Sequence, residues 1–516
     1  MFDELDDPHA VAVPDDALTR AKATGLARVR RRYAITGAVA AALLVLAAVP
    51  LISRETPKTS VGYTNAPTTD ATDTTDATPV EIRGTDTTTG SARDSAVPPG
   101  YFADIVNFIE DDPSAVVMRY DGSGRRVLVK ASKPYRPSEV LWSPDRSLLA
   151  ISTIDTTGAA RPQYGQPVRL DVFDVASGRL RTVYEAPQGS KFMLPTWSAD
   201  SSAIAMSSGE YHLVGQEYGF ASAVMDSPDL RVVDVKSKET WSVPAMRDVQ
   251  RIVWSRDGSK LAFSDGEQQQ TIHVIDVQTH AAHKVVEGVD VHWSWAPDAR
   301  SFAFTKYDPS AATDRGVEVI GADGNGRRVL DDGTHAGWQF GEPEWSPDGD
   351  RLLAFARSPE QTDARMASVL IDMPTSRFTW IEGFIGASPA DFARHNQYGT
   401  WWDPDGSAVM LTKVGFYAIY RVPLDGGDPV AMTDGIVGAW MMSPNGEWIA
   451  WSTQDGVTRV RKVAGGAVVP IEAGNSSVTE WTPDSAAIVT GRSDENGTQH
   501  VTVTRIDGRG HWSFTV

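Results

Sequence analysis

Short runs of alternating apolar and polar residues fill the chain from about residue 101 to its end. A period of two is typical of β-strands that bury one face. Three such runs, at 170–175, 317–320 and 501–506, are each followed by a Ser-Gly or Asp-Gly turn signal. No segment of this region has the 3.6-residue apolar period of a long amphipathic helix. The pattern therefore predicts an all-β fold.

A short motif recurs eight times in this region and gives the strands a longer period. It consists of an aromatic residue, then Ser-Pro-Asp-Gly or a variant, then an apolar strand. The copies begin at Trp142, Trp197, Trp254, Trp295, Trp345, Trp402, Met442 and Trp481. Their mean spacing of about 48 residues is close to one four-stranded propeller blade.

The chemistry of the motif is that of a hairpin turn. Pro presets φ, Asp or Asn bonds to its own backbone, and Gly accepts positive φ. We expect the aromatic residue to end the first strand and to be buried between adjacent blades. An alanine follows eight residues later where a small side chain fits between crowded strands, at Ala150, Ala205, Ala262, Ala303 and Ala450.

These Trp-Ser-Pro-Asp-Gly units resemble the WD40-like repeats of TolB-type propellers, which also occur in relatives of prolyl oligopeptidase. The resemblance covers about residues 135–516 and implies a fold, not a function. We predict a β-propeller over 100–516, with eight blades favoured and seven as the alternative. Three further strand-like runs are expected to complete or brace the closing blade, at 103–108, 115–120 and 126–130.

The first hundred residues have a different composition. Residues 33–52 carry no charge, and a helix of this length spans the ~30 Å hydrocarbon core of a bilayer. Four arginines lie between residues 28 and 32, so the positive-inside rule predicts that residues 1–32 form a cytoplasmic tail and that the propeller is exported. The alternative is a cleaved export signal, for which Ala48-Val49-Pro50 is a poor cleavage site.

Residues 53–99 contain 13 threonines and five prolines and almost no large apolar side chain. Such a segment cannot bury enough surface to offset the entropy lost on ordering. We predict a disordered linker between the membrane helix and the propeller. This stalk and the membrane helix are departures from TolB, which has a small α/β domain and a cleaved signal, so a Tol-Pal role is not implied.

Charge and cysteine content exclude several classes of function. The chain has 67 acidic and 48 basic residues, a net charge of −19, which disfavours a nucleic-acid partner. It has no cysteine, so disulfides, thiolate metal sites and a lipid-anchoring cysteine are excluded. The sequence has no His-Glu-x-x-His pattern, and we interpret His280, His283 and His292 as surface or blade-edge residues. No metal and no other cofactor is predicted.

Enzyme families built on propellers are poorly matched. The repeat aspartates are explained by turn bonding rather than by catalysis, and the aromatic residue precedes the turn, whereas it follows the turn in sialidase-type Asp boxes. A prolyl-oligopeptidase activity would need a hydrolase domain with a Gly-x-Ser-x-Gly motif, which the sequence lacks. No catalytic residue is assigned, and an enzyme remains the second hypothesis.

Candidate binding residues come from the longest intervals between motifs. Three intervals measure 55 to 57 residues, against about 40 for the shortest ones. The surplus maps to 156–167, 210–228 and 383–400, where long loops could hold a ligand. The aromatic and histidine residues of the last two segments are the predicted binding residues: Tyr211, His212, Tyr218, Phe220, Phe392, His395 and Tyr398.

Together these patterns predict a non-enzymatic module held at the cell membrane, which recognises an envelope protein, peptide or glycan through rim loops of the propeller. Two alternatives stay open. One is a hydrolase or lyase with its site in the central channel. The other is a membrane sensor that signals through residues 1–32 to a cytoplasmic partner.

Overall fold

The computed structural model describes fifteen ranges of the chain: 99–106, 113–157, 167–214, 222–245, 249–266, 270–306, 316–335, 337–358, 366–386, 402–413, 418–434, 437–453, 456–472, 477–493 and 499–515. All elements within these ranges are strands, as predicted. None of the described segments is a helix able to cross a bilayer. The predicted tail, membrane helix and nearly all of the linker lie outside the described residues.

The strands form eight antiparallel sheets that follow one another along the chain. Sheet 1 has three strands, sheets 2 and 3 have four, and sheet 4 has seven. Sheet 1 is β1 (Tyr101–Val106), β2 (Ser114–Arg119) and β3 (Arg126–Lys130). Sheet 2 is β4 (Tyr135–Trp142), β5 (Leu148–Asp155), β6 (Pro167–Asp174) and β7 (Arg179–Glu185). Sheet 3 is β8 (Ser190–Trp197), β9 (Ala203–Val214), β10 (Ser222–Asp234) and β11 (Thr240–Pro244). Sheet 4 is β12 (Val249–Trp254), β13 (Lys260–Asp265), β14 (Gln270–Asp276), β15 (Ala282–Trp295), β16 (Ser301–Lys306), β17 (Val317–Gly321) and β18 (Arg328–Leu330).

The remaining four sheets have four strands each. Sheet 5 is β19 (Gln339–Trp345), β20 (Arg351–Arg357), β21 (Met366–Asp372) and β22 (Arg377–Glu382). Sheet 6 is β23 (Phe384–Gly386), β24 (Ala408–Lys413), β25 (Ile419–Pro423) and β26 (Val430–Ala431). Sheet 7 is β27 (Val437–Met442), β28 (Trp448–Thr453), β29 (Thr458–Lys462) and β30 (Val469–Glu472). Sheet 8 is β31 (Ser477–Trp481), β32 (Ala487–Ser493), β33 (Gln499–Arg505) and β34 (His511–Thr515).

Sheet 4 contains two repeats joined by one long strand. The first half of β15 pairs with β14, and its second half, from Val289 to Trp295, pairs with β16. β15 is therefore the outermost strand of one repeat and the innermost strand of the next. With this division the described strands contain eight four-stranded repeats, one for each motif.

The motif alanine and the motif tryptophan meet across neighbouring repeats. Each alanine is buried in the same core cluster as the tryptophan of the repeat that follows it, so the small side chain leaves room for the indole. The pairs are Ala150 with Trp197, Ala205 with Trp254, Ala262 with Trp295, Ala303 with Trp345, and Ala450 with Trp481. The prediction that these tryptophans are buried between repeats is confirmed.

Three tryptophans also form hydrogen bonds to the preceding repeat. The indole Nε1 of Trp197 donates to the carbonyl oxygen of Leu141 (3.0 Å), and that of Trp254 donates to Thr196 (3.2 Å). Trp481 donates in the same way to Met441 (3.4 Å). Each acceptor directly precedes the first residue of the previous motif, so these three pairs of repeats are joined by the same contact.

Sheet 1 lies between the last repeat and the first. Phe102 and Tyr120 pack in a cluster with Val489 of sheet 8, while Val117 packs with Phe173 of sheet 2. The series of packed sheets therefore closes on itself. Among the described residues sheet 1 pairs only internally and sheet 8 already has four strands of its own, so of the two expected roles these strands do not complete the closing blade but brace it by packing.

Candidate functional site

The motif aspartates are turn residues, as predicted. In the repeat that begins at Trp254, Ser255 Oγ donates to Asp257 Oδ1 (2.7 Å), and the backbone nitrogen of Ser259 donates to the same oxygen (3.0 Å). The bonds from Ser255 and Ser259 hold the pKa of Asp257 below its usual range. Asn445 accepts the equivalent bond from Ser443 Oγ (2.7 Å), so a charge is not required at this position.

Two of the predicted binding residues lie on a strand instead of a loop. β9 and β10 stay paired with each other out to Val214 and Ser222, although β9 pairs with β8 only as far as Glu210 and β10 pairs with β11 only as far as Asp229. Residues 211–214 and 222–226 therefore form a two-stranded arm beyond sheet 3, which carries Tyr211 and His212 in its backbone ladder. The other five predicted residues lie outside the described ranges, namely Tyr218, Phe220, Phe392, His395 and Tyr398.

A different group of aromatic residues is brought together beside the connection from β18 to β19. We call it the Trp380 cluster, and it consists of Asp332, His335, Trp338, Phe340 and Trp380. The first three belong to the connection, Phe340 begins β19 with Gln339, and Trp380 lies on β22. The cluster therefore joins the end of sheet 4 to the outer strand of sheet 5.

Stacking and edge contacts fix the rings of the cluster. The imidazole of His335 stacks on the indole of Trp380 with ring centroids 3.7 Å apart and planes at 26°. Trp338 meets both rings edge-on, with centroids 5.4 Å from His335 and 4.9 Å from Trp380. Trp338, Phe340 and Trp380 pack against the core cluster shared by sheets 4 and 5, and each of these residues is only partly buried.

Asp332 holds the cluster together electrostatically. Its Oδ2 accepts from the indole Nε1 of Trp380 (2.8 Å) and lies 2.7 Å from His335 Nδ1, while its Oδ1 accepts from the backbone nitrogen of Thr334 (2.9 Å). Partial burial opposes ionisation, but these hydrogen bonds outweigh it and hold the pKa of Asp332 well below its usual range. The carboxylate is therefore charged at neutral pH and positions both rings.

The cluster offers flat apolar surface beside a polar ring nitrogen. His335 keeps 31% of its side chain exposed, and its Nε2 has no partner among the described residues. Aromatic faces with such a polar group are the usual components of recognition sites. Within the described ranges no group of histidine and acidic side chains is arranged to hold a metal ion.

This site does not stand out in the spacing of the motifs, because the interval from Trp295 to Trp345 is only 50 residues, near the average. One local signal was present, since His335, Trp338 and Phe340 fall within six residues. The fourth ring was not predictable, because Trp380 lies 48 residues from Asp332 in the chain.

The described residues form a β-propeller, because their eight four-stranded repeats and the three-stranded sheet 1 pack in a closed series. It is similar to a solved eukaryotic initiation factor, with 14% identity and a TM-score of 0.51 over 82% of this chain and 96% of that one. At this identity the likeness concerns the fold alone.

Two further solved structures are similar with lower scores, from which we draw nothing more. Oligogalacturonate lyase in complex with manganese has 14% identity and a TM-score of 0.41 over 79% of this chain and 98% of that chain. TolB from Acinetobacter baumannii has 10% identity and a TM-score of 0.28 over 74% of this chain and 80% of that chain. No protein-family model matches the sequence, and no curated protein matches it.

Proposed function

We propose that the protein is a non-enzymatic binding module, anchored in the cell membrane by residues 33–52, whose exported propeller recognises a component of the cell envelope. The observation that supports recognition is the Trp380 cluster. Its rings are held by Asp332 rather than left to move, and fixed aromatic groups lose little entropy when a ligand binds. The membrane anchor rests on the uncharged run and the arginines before it.

A glycan is the ligand that fits the cluster best. The CH face of a sugar ring is flat and apolar and can stack on an indole, while its hydroxyls can bond to a free imidazole nitrogen. The exposed parts of Trp338 and Trp380 supply the first contact, and His335 Nε2 supplies the second. A peptide or protein of the envelope is the competing ligand, and the experiment below separates the two.

The test measures how much native envelope material the immobilised full-length protein retains. Trp338→Ala should lower retention by roughly tenfold or more, the effect expected for a hot-spot aromatic residue. Digesting the envelope with glycan hydrolases, but not with proteases, should have the same effect. A matched control is Trp241→Ala, since Trp241 also stacks on a histidine, His280, with centroids 4.2 Å apart. Equal retention by both variants and the wild type would contradict the proposal.

One observation favours an enzyme as the second candidate. Asp332 lies 2.7 Å from His335 Nδ1, and a carboxylate in that position orients an imidazole so that Nε2 can act as a base. His335→Gln separates the two candidates by turnover: a binding module loses affinity with the Nε2 contact but has no turnover to lose, whereas an enzyme loses its reaction. Chemical change of a glycan by the wild-type protein that His335→Gln abolishes would establish the enzyme.

We also infer that sheet 1 is an incomplete ninth blade. Arg146 supports a place for sheet 1 in the ring, because its Nη2 reaches Glu480 Oε2 of sheet 8 (3.1 Å) and the hydroxyl of Tyr120, which directly follows β2 of sheet 1 (3.1 Å). On this proposal the eight favoured blades correspond to the eight motif repeats, and the three-stranded sheet 1 is additional to them.

A further inference from the structure

A cavity of about 390 Å³ lies between sheets 1 and 2, apart from the Trp380 cluster. Its size falls within the usual range for small-molecule sites. Its walls combine aromatic, aliphatic and cationic side chains with a short polar turn. The lining residues are Tyr101, Val117, Arg119, Ser123, Gly124, Arg126, Phe173 and Val175.

Strand register explains why these side chains share one surface. Tyr101 is paired directly with Arg119, and Val117 is paired directly with Arg126. Val117 and Arg119 are two residues apart on β2, so they project from the same face of the sheet. That face packs toward Phe173 of sheet 2. The cavity is thus a product of regular strands and not of an irregular loop.

The charge in the cavity is unbalanced. Among the residues that the structure describes, two arginines line it and no acidic residue does, in a chain whose net charge is −19. Arg126 Nη2 donates to the carbonyl oxygen of Gly178 (3.2 Å), and its guanidinium lies over the ring of Phe173 at 5.4 Å. Within the described ranges neither Arg119 nor Arg126 forms an ion pair. The two arginines occupy diagonal positions of neighbouring strands, so an anion bound between them would interact with both charges.

We propose that this cavity binds a small organic anion that carries a carboxylate or phosphate group on a flat apolar body. The guanidinium of Arg119 binds the anionic group, since its planar set of donors matches carboxylate and phosphate oxygens. Arg126 adds the second positive charge. Tyr101, Phe173 and the two valines contact the apolar body, which selects against a bare inorganic anion.

The experiment titrates the full-length protein in detergent with phenyl phosphate and follows binding by calorimetry. Benzyl alcohol serves as the neutral probe and inorganic phosphate as the anion without an apolar body. Phenyl phosphate should bind at least tenfold more tightly than either of them. Arg119→Gln should weaken its binding at least tenfold, because charge-assisted bonds are lost. The control Arg125→Gln removes a neighbouring charge outside the cavity and should change affinity less than twofold.

Each other outcome rejects the proposal. Equal binding of benzyl alcohol would mean that the arginines do not select the ligand, and equal binding of inorganic phosphate would mean that the apolar walls do not. Equal weakening by both arginine variants would indicate a general charge effect. Arg119→Lys guards against a folding artefact, since it keeps the charge and removes the planar fork, so its affinity should lie between those of the wild type and Arg119→Gln.

Discussion

At the scale of single residues, the copies of the motif differ at the fourth position of the turn, which is glycine in some repeats and another residue in the others. Four repeats have glycine there, at Gly258, Gly349, Gly406 and Gly446, all with φ near +70° to +79°. The other four repeats have a residue with a side chain at this position, also with positive φ, which carries some conformational cost. Arg146 (φ 56°) is the largest of these, and it reaches both Glu480 and Tyr120. Burial and the Glu480 carboxylate raise the pKa of the Tyr120 hydroxyl.

Arg146→Gly should destabilise the protein although it restores the usual residue of the turn. Relief of the left-handed backbone contributes about 0.5–1 kcal/mol. Loss of the mostly buried ion pair costs more, so we expect a net loss of about 2–3 kcal/mol in chemical denaturation. The control Ala299→Gly changes the same turn position (φ 58°) without an ion pair and should be neutral or slightly stabilising. A stabilising Arg146→Gly would show that the ion pair contributes nothing.

At the scale of elements, the contact between repeats depends on volume. Ala205 and Trp254 share a cluster, and both are nearly inaccessible to solvent. The hydrogen bond from Trp254 to Thr196 fixes the indole in the space above the alanine. A larger residue at position 205 would therefore fill, and a smaller one at position 254 would empty, the same buried space.

Ala205→Leu and Trp254→Ala should partly compensate each other. Overpacking by leucine costs about 1–3 kcal/mol, and truncating the tryptophan costs about 3–5 kcal/mol. In the double variant the leucine occupies space that the indole leaves, so the total loss should be smaller than the sum by about 1 kcal/mol or more. Unfolding free energies of all four proteins give this coupling. Strict additivity would contradict direct packing of the two side chains.

At the scale of the whole molecule, one polypeptide combines a propeller with an N-terminal hundred residues of different chemistry. The propeller closes by packing of sheet 1 between sheets 8 and 2, with Arg146 bridging the closure. The proposed membrane anchor would keep this ring outside the cytoplasm, where an envelope ligand is accessible.

A reporter fused after Arg54 should be active only outside the cytoplasm, because the arginines before residue 33 remain inside. Mass spectrometry of the membrane-bound protein should find its original N-terminus. Recovery of a soluble form beginning near residue 50 would instead identify the apolar run as a cleaved signal.

The strand period, the eight repeats and the turn chemistry can be predicted from the sequence, because these depend on contacts within a few residues. Ser255, Asp257 and Ser259 interact across five positions, so their pattern is visible in the chain. Which distant groups meet depends on the tertiary structure. Arg146 and Glu480 are 334 positions apart, and Trp380 on β22 reaches Asp332 in the connection before β19. The cavity arises where the faces of two sheets meet. Such pairings follow from the closure of the propeller and from the register between its strands. No local sequence pattern encodes either of them.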